Sequence, residues 1–217
     1  LVIILAKSGS QRVPNKNHRT FINGESLFER AFRKVANSAW EPDILIASDY
    51  PNIVDPIPIR NRVFITEHPE VNETTTSETV MLDLLEDTGH EPDVVVLVQV
   101  DSPFFETLDL DRAIAKVQYT QVNSAFTASK FPRYTWNRYS TGTVSDDGTE
   151  RLPTQERYIF KYIEAGSIYA MDYKLFIKQQ SRFIQPCEII EVDLRKVFEV
   201  DEMWQFRRAQ LLAKGEE

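Results

Sequence analysis

The sequence predicts an α/β protein of three layers, with a mostly parallel, twisted sheet between helices and a small β-rich insertion. Short apolar runs alternate with amphipathic stretches of helical period along most of the 217 residues, the rhythm of strands joined by right-handed crossovers. The two strongest runs, LVIILA at residues 1–6 and VVVLVQV at 94–100, are apolar throughout, as expected of strands covered on both faces. A composition of 42% hydrophobic and 27% charged residues suits one core, in a chain too short for two well-built domains. One domain over residues 1–217 is expected.

The elements follow in order. After the first strand, residues 7–17 are polar with Gly9 and Pro14, and read as a loop. Residues 26–36 place Leu27, Phe28, Ala31, Phe32 and Val35 on one helical stripe; Arg30, Arg33 and Lys34 then read as its charged, solvated face. Residues 43–48 and 63–66 are short strands. Residues 75–86 open with a Thr/Ser cluster and continue with Val80, Met81, Leu84 and Leu85 at helical spacing, Ser77 serving as N-cap. A helix over 108–117 and a strand over 124–129 follow the strand at 94–100. Near Lys130 the rhythm breaks: residues 131–139 are aromatic and basic, 140–148 turn-rich, and 157–163 and 167–171 alternate like a β extension. The insertion therefore spans approximately 130–165. A helix at 173–180, a strand at 188–192 and a last helix at about 201–214 complete the chain.

Several function classes are excluded. No apolar run approaches the roughly 20 residues that cross a bilayer, and LVIILA lacks the basic flank of a signal peptide. A single cysteine, Cys187, forbids an internal disulfide or a multi-Cys metal site and fits a reducing, cytoplasmic setting; it reads as a buried hydrophobe. A net charge of −8 opposes general nucleic-acid binding. Yet residues 1–35 carry seven Lys/Arg against two Asp/Glu, so one corner is basic and suited to a small anion.

In open α/β sheets ligands bind beyond the carboxyl ends of the strands, where three segments fall. The first is K-S-G-S-Q-R-V-P-N-K-N, residues 7–17. Its small residues let backbone N–H groups approach phosphate oxygens, and Arg12 and Lys16 can neutralise them. It matches neither the Walker nor the dinucleotide-binding glycine pattern, and on composition alone a merely solvated basic loop is an equal reading. The second segment is Gln99–Val100–Asp101–Ser102–Pro103: Asp101 either holds Mg2+ at the end of a buried strand or caps the following turn. In the third, Glu199–Val200–Asp201, the two carboxylates share one face if the backbone is extended, and two such groups repel unless a cation or a proton sits between them. Alternatively Asp201 N-caps the last helix. His18 and His90 read as surface residues. Together the segments suit a nucleoside triphosphate with Mg2+.

The first loop, I-I-L-A-K-S-G-S-Q-R-V-P-N-K-N, resembles the A-R-S-G-S-K-R-x-P-G-K-N pattern of acylneuraminate cytidylyltransferases, the CMP–sialic acid synthetases. The agreement continues in order through V-L-V-Q-V-D-S-P, E-A-G-S-I-Y at residues 164–169 and F-E-V-D-E-M-W-Q-F-R at 198–207. The resemblance implies a nucleotidyltransferase-type fold and a homodimer built through the β insertion. It implies a reaction in which CTP and a nine-carbon keto sugar acid give a CMP-sugar and pyrophosphate. Lys7, Ser8, Gly9, Ser10 and Arg12 would wrap the nucleotide, with Lys16 on the phosphates, Asn17 near the ribose or phosphates, and Thr75 and Ser77 beside the base. Gln99, Ser102, Arg133, Gln155 and Tyr169 would meet the sugar acid. Asp201 with Glu199 would ligate Mg2+, and Arg12, Lys16 and Asp201 would carry catalysis.

The departures concern the substrate. Lys7 stands where the family has Arg, Asn15 where it has Gly, and His68 where it often has Arg. Asp101 makes Q-V-D-S-P similar to Q-G-D-E-P of the related CMP–Kdo synthetases, in which that Asp holds the metal, so Asp101 joins the metal candidates. Lys16–Asn17 fits the sialate branch. Ala165 replaces the Asn of E-N-G, and Thr154 stands where an Arg precedes Gln155, unless Arg151 or Arg157 supplies it. A legionaminic-, pseudaminic- or Kdo-like acid, or a nucleotide-binding protein without turnover, stays open.

Overall fold

A computed structural model describes residues 1–7, 10–55, 57, 63–67, 75–145, 153 and 160–215. The central sheet uses β1 (Val2–Leu5), β4 (Ile44–Ser48), β5 (Val63–Glu67), β6 (Val94–Gln99), β7 (Ser124–Phe131), β10 (Lys161–Asp172) and β11 (Cys187–Glu191). Their order is β11-β7-β10-β6-β1-β4-β5. All pairings are parallel except those of β10, which runs antiparallel to β6 and β7. The sheet is thus mixed and mostly parallel, as expected. The two β stretches expected at 157–163 and 167–171 are one strand where described: β10 is a single 12-residue strand whose second half lies deep in the sheet.

Alternation along the buried strands sorts the core into two halves. Val2 and Ile4 face one way, with α1 (Leu27–Ala36), α3 (Thr107–Tyr119) and α5 (Met203–Lys214) packed on them. Ile3, Leu45 and Leu97 face the other way, toward α2 (Ser77–Thr88) and α4 (Tyr173–Gln179). These are the three layers, and the two-residue strand period is what separates their side chains. Each fully buried Phe or Leu contributes about 1.5–3 kcal/mol of burial.

The helix ends explain where the site segments point. Ser26 caps α1 reciprocally with Glu29. For α2 the cap is Thr76 rather than Ser77, which becomes the first helical residue. For α5 the cap is Glu202, paired with Gln205, not Asp201. Gln205 Oε1 accepts from the backbone N–H of Asp201 at 2.9 Å, so the Asp201 carboxylate has no capping task.

Two further corrections concern charge and connection. Lys34 is buried, donating to the carbonyls of Pro103 (2.9 Å) and Phe105 (2.5 Å), whereas Arg33 stays exposed and pairs with Glu25. A hairpin of β2 (Thr20–Ile22) and β3 (Glu25–Ser26) precedes α1. Of the insertion, the described residues show the hairpin β8 (Trp136–Tyr139) and β9 (Gly142–Ser145) and the outer ends of β7 and β10.

Candidate functional site

The parallel strands β1, β4 and β6 end side by side, in register Leu5↔Gln99 and Leu5↔Ala47. Beyond their carboxyl ends lies a cleft of about 290 Å³. Lys7, Ser10, Lys16 and Asn17 line it from the loop after β1, Thr75 and Ser77 from the start of α2, and Gln99 and Asp101 from the end of β6. Asp49, after β4, also lines it, a residue that no motif in the sequence singles out.

The loop after β1 is held by its own groups. Asn15 adopts φ 58°, a left-handed conformation that Asn tolerates in place of Gly. Asn17 Nδ2 donates to Lys7 O at 2.8 Å, while its Oδ1 is buried with no hydrogen-bond partner. An unpaired buried acceptor of this kind is costly, and Asn17 is one of the residues lining the cleft. Ser8 and Gly9 lie outside the described residues, as do His68, Arg151, Thr154, Gln155 and Arg157.

Lys16 gathers the two carboxylate segments. Its ammonium, on an 8% exposed residue, lies 3.0 Å from Asp101 Oδ2, 2.8 Å from Val200 O and 3.8 Å from Asp201 Oδ1. Val200 N donates to Asp101 O at 2.9 Å, stitching the two segments together. Arg12 approaches from the solvent side, 3.1 Å from Asp201 and 3.5 Å from Glu202; such an exposed pair adds little stability.

Glu199, exposed by surface area, lies near enough to this group to feel its charges. Burial, and then the charges of Asp101 and Asp201, push its carboxyl above the usual range, opposed by Lys16. Its side chain lies against Gly166, whose φ of 68° falls in a register shift of β10. Ser102 is fully buried and donates to Gly166 O at 2.9 Å. It ties the turn after β6 to β10, so its hydroxyl is engaged by the backbone and not turned to the cleft.

Among the described residues, no three His, Cys, Asp or Glu side chains form a ready-made metal cage. The donors nevertheless suit Mg2+, which is commonly held by one or two carboxylates plus substrate phosphates. Lys16, a cation already seated between Asp101 and Asp201, stands in for such an ion.

On the β10 side the picture differs from the expectation. Tyr169, paired with Leu97 of the cleft floor, is buried, and its hydroxyl donates to Glu164 at 2.9 Å. Burial, reinforced by Glu164, raises its pKa. The Arg182 guanidinium lies 4.7 Å above the Tyr169 ring and grips Glu78, in the first turn of α2, through both carboxylate oxygens. Sequence reasoning missed this Glu78–Arg182–Tyr169–Glu164 chain, which links positions far apart in sequence. Arg133 is exposed beside the β8–β9 hairpin, outside the cleft lining.

His18 and His90 are less exposed than expected, whereas Cys187 is more exposed than the buried hydrophobe expected. His18 stacks on Tyr50 at 4.3 Å, its Nδ1 buried and unpartnered, and burial lowers its pKa. His90 meets the edge of Phe64. Cys187 is half-buried, its thiol pushed up by burial.

The profile of the family described as Cytidylyltransferase matches residues 1–181. The chain belongs to the cytidylyltransferase family. A search of curated proteins finds none that matches at a significant level. Solved structures similar to this cytidylyltransferase include a CMP:2-keto-3-deoxy-manno-octonic acid synthetase complexed with CTP. It is 15% identical, with a TM-score of 0.70, covering 100% of this chain and 99% of that one. The 4-diphosphocytidyl-2C-methyl-D-erythritol synthase of Anaerococcus prevotii is 13% identical, with a TM-score of 0.70 and coverage of 98% and 95%. The 2-C-methyl-D-erythritol 4-phosphate cytidylyltransferase of Francisella tularensis is 11% identical, with a TM-score of 0.69 and coverage of 97% and 98%. At these identities the likeness shows the nucleotidyltransferase-like fold. No described helix is long and apolar enough to cross a membrane.

Proposed function

We propose that this cytidylyltransferase joins CTP to a keto sugar acid of the sialic acid type, giving a CMP-sugar and pyrophosphate. The observation that carries the reading is the convergence of Lys16, Asp101 and Asp201 at a cleft lined by the loop after β1 and the start of α2. That juxtaposition supplies cations for a triphosphate and oxygen donors for a divalent ion in one place.

In the proposed reaction the anomeric hydroxyl of the acid attacks the α-phosphorus of CTP. The hydroxyl gives up its proton to solvent, the bond to the α,β-bridging oxygen breaks, and pyrophosphate leaves with that electron pair. Negative charge shifts onto the leaving group, so positioning and fixed positive charge supply most of the acceleration. Arg12 and Lys16 bind the β- and γ-phosphates, with Lys7 and Ser10 lining the same cleft. Asn17, which lines the same cleft, lies near the ribose or the phosphates. Thr75 and Ser77 border the base, and Gln99 faces the acid. Asp101 and Asp201, with Glu199 near them, would hold Mg2+, which when bound stabilises charge on the phosphoryl oxygens.

Asp101 favours a second reading of the acceptor, an eight-carbon Kdo-like acid, because the resemblance at Q-V-D-S-P points there. The exposed Trp136 and Tyr139 of the β8–β9 hairpin, with Tyr162 and Ile163 of β10, support a homodimer formed through the insertion. Replacing Asp201 with Ala tests the assignment. Turnover is expected to fall at least about a hundredfold, with little change in melting temperature because the Asp201–Arg12 pair is solvent-exposed. Near-normal turnover would remove Asp201 from the machinery.

A further inference from the structure

We infer that Lys16 is the internal counter-cation of the resting site, and that a nucleoside triphosphate opens this site to a divalent ion by drawing the ammonium away. The inference rests on the reading of Asp101 and Asp201 given above and concerns the order in which that site fills. Lys16 Nζ is bonded to a carboxylate oxygen of Asp101 and to the carbonyl of Val200, with Asp201 at 3.8 Å. Two carboxylates and a carbonyl are also the kind of oxygen donors a hard divalent cation takes. Ammonium and metal ion cannot share them, since like charges a few ångströms apart in a half-buried site repel strongly.

Geometry gives the lysine an exit. Lys16 is carried by the loop after β1 and lines the cleft together with Lys7 and Ser10, so phosphates bound there offer its ammonium a competing, more highly charged partner. Once it leaves, Asp101 and Asp201, 3.0 and 3.8 Å from its present position, are two carboxyl groups with one fewer cation between them. The need for a cation therefore rises when the triphosphate arrives. By linkage, metal and nucleotide then strengthen each other's binding.

The test is Mn2+ binding to nucleotide-free protein, followed by electron paramagnetic resonance and calorimetry. Lys16→Met is expected to bind Mn2+ at least about tenfold more tightly than the unsubstituted protein, equivalent to about 1.4 kcal/mol, even as its affinity for CTP falls. Where Lys16→Met fails to fold, Lys16→Gln removes the same charge and keeps a polar head. Unchanged or weaker Mn2+ binding in the folded variant overturns the inference, provided the unsubstituted protein binds Mn2+ with CTP in a manner lost in Asp201→Asn. Absence of Asp201-dependent Mn2+ binding even with CTP overturns the reading of the site, and this inference with it.

Discussion

Substituting Gly166 with Ala probes whether Glu199 belongs to the reaction. Gly166 has φ 68°, and an ideal Cβ there would overlap Glu199 Oε1 and stand 2.8 Å from its Cδ and 3.1 Å from its Cγ. Two effects separate. The left-handed backbone costs an alanine about 1–2 kcal/mol, which lowers the melting temperature by roughly 2–8 °C for a chain of this size. The clash is with the end of a flexible side chain, so it is relieved by swinging the Glu199 carboxylate aside rather than by unfolding. A displacement of that order beside reacting groups costs about a hundredfold in rate. The assay is pyrophosphate release as a function of Mg2+, alongside thermal melting. The expected result is a folded, slightly less stable protein with strongly reduced turnover. A variant that melts lower yet keeps its turnover and Mg2+ dependence would refute the placement of Glu199 in the site.

Other outcomes follow from the same contacts. Arg182 holds the Glu78 carboxyl below its ordinary 4.5. A carboxylate lowered in the folded state stabilises it above the ordinary value, and the contribution is lost as pH falls through the lower one. Glu78→Gln should therefore destabilise at neutral pH and flatten the acid limb of melting temperature against pH; an unchanged limb would contradict the pairing. The proposed homodimer is tested by sedimentation: a dimer of the unsubstituted protein that becomes a monomer when both Trp136 and Tyr139 are replaced with Ser is expected, and a monomer from the outset or an unaltered dimer would contradict that interface. Ser26→Ala removes the reciprocal cap of α1 and should cost about 1 kcal/mol in chemical denaturation; no loss would deny the cap a role in stability.

Much of the sheet is legible because burial on both faces leaves a direct mark: LVIILA and VVVLVQV become β1 and β6 within one residue or two. The β2–β3 hairpin escapes because its strands are three and two residues long. The Asn23–Gly24 pair, with φ of 49° and 83°, was the available signal, since that dipeptide favours tight hairpins. The cap of α2 slips by one position because T-T-T-S offers neighbouring hydroxyls of equal merit. Lys34 reads as surface because its long stem lets a polar residue at the edge of the apolar stripe reach buried carbonyls.

At the site, sequence identifies the segments but not their contacts. That residues 7–17, 99–103 and 199–201 meet follows from their positions after strands or before a helix. That Lys16 binds Asp101 across 85 positions and Arg182 binds Glu78 across 104 has no local signature. Ser102 shows the converse: a motif residue beside the cleft whose hydroxyl is taken by Gly166 O.

The central claim is CTP-dependent transfer to an acidic keto sugar at the cleft of Lys16, Asp101 and Asp201. Its most direct test is pyrophosphate release from CTP and Mg2+ across a panel of eight- and nine-carbon keto sugar acids, with Asp201→Ala as the control. Release with CTP and one member of the panel, lost in the control, is the predicted result. A protein that neither binds CTP nor releases pyrophosphate with any member would contradict the account.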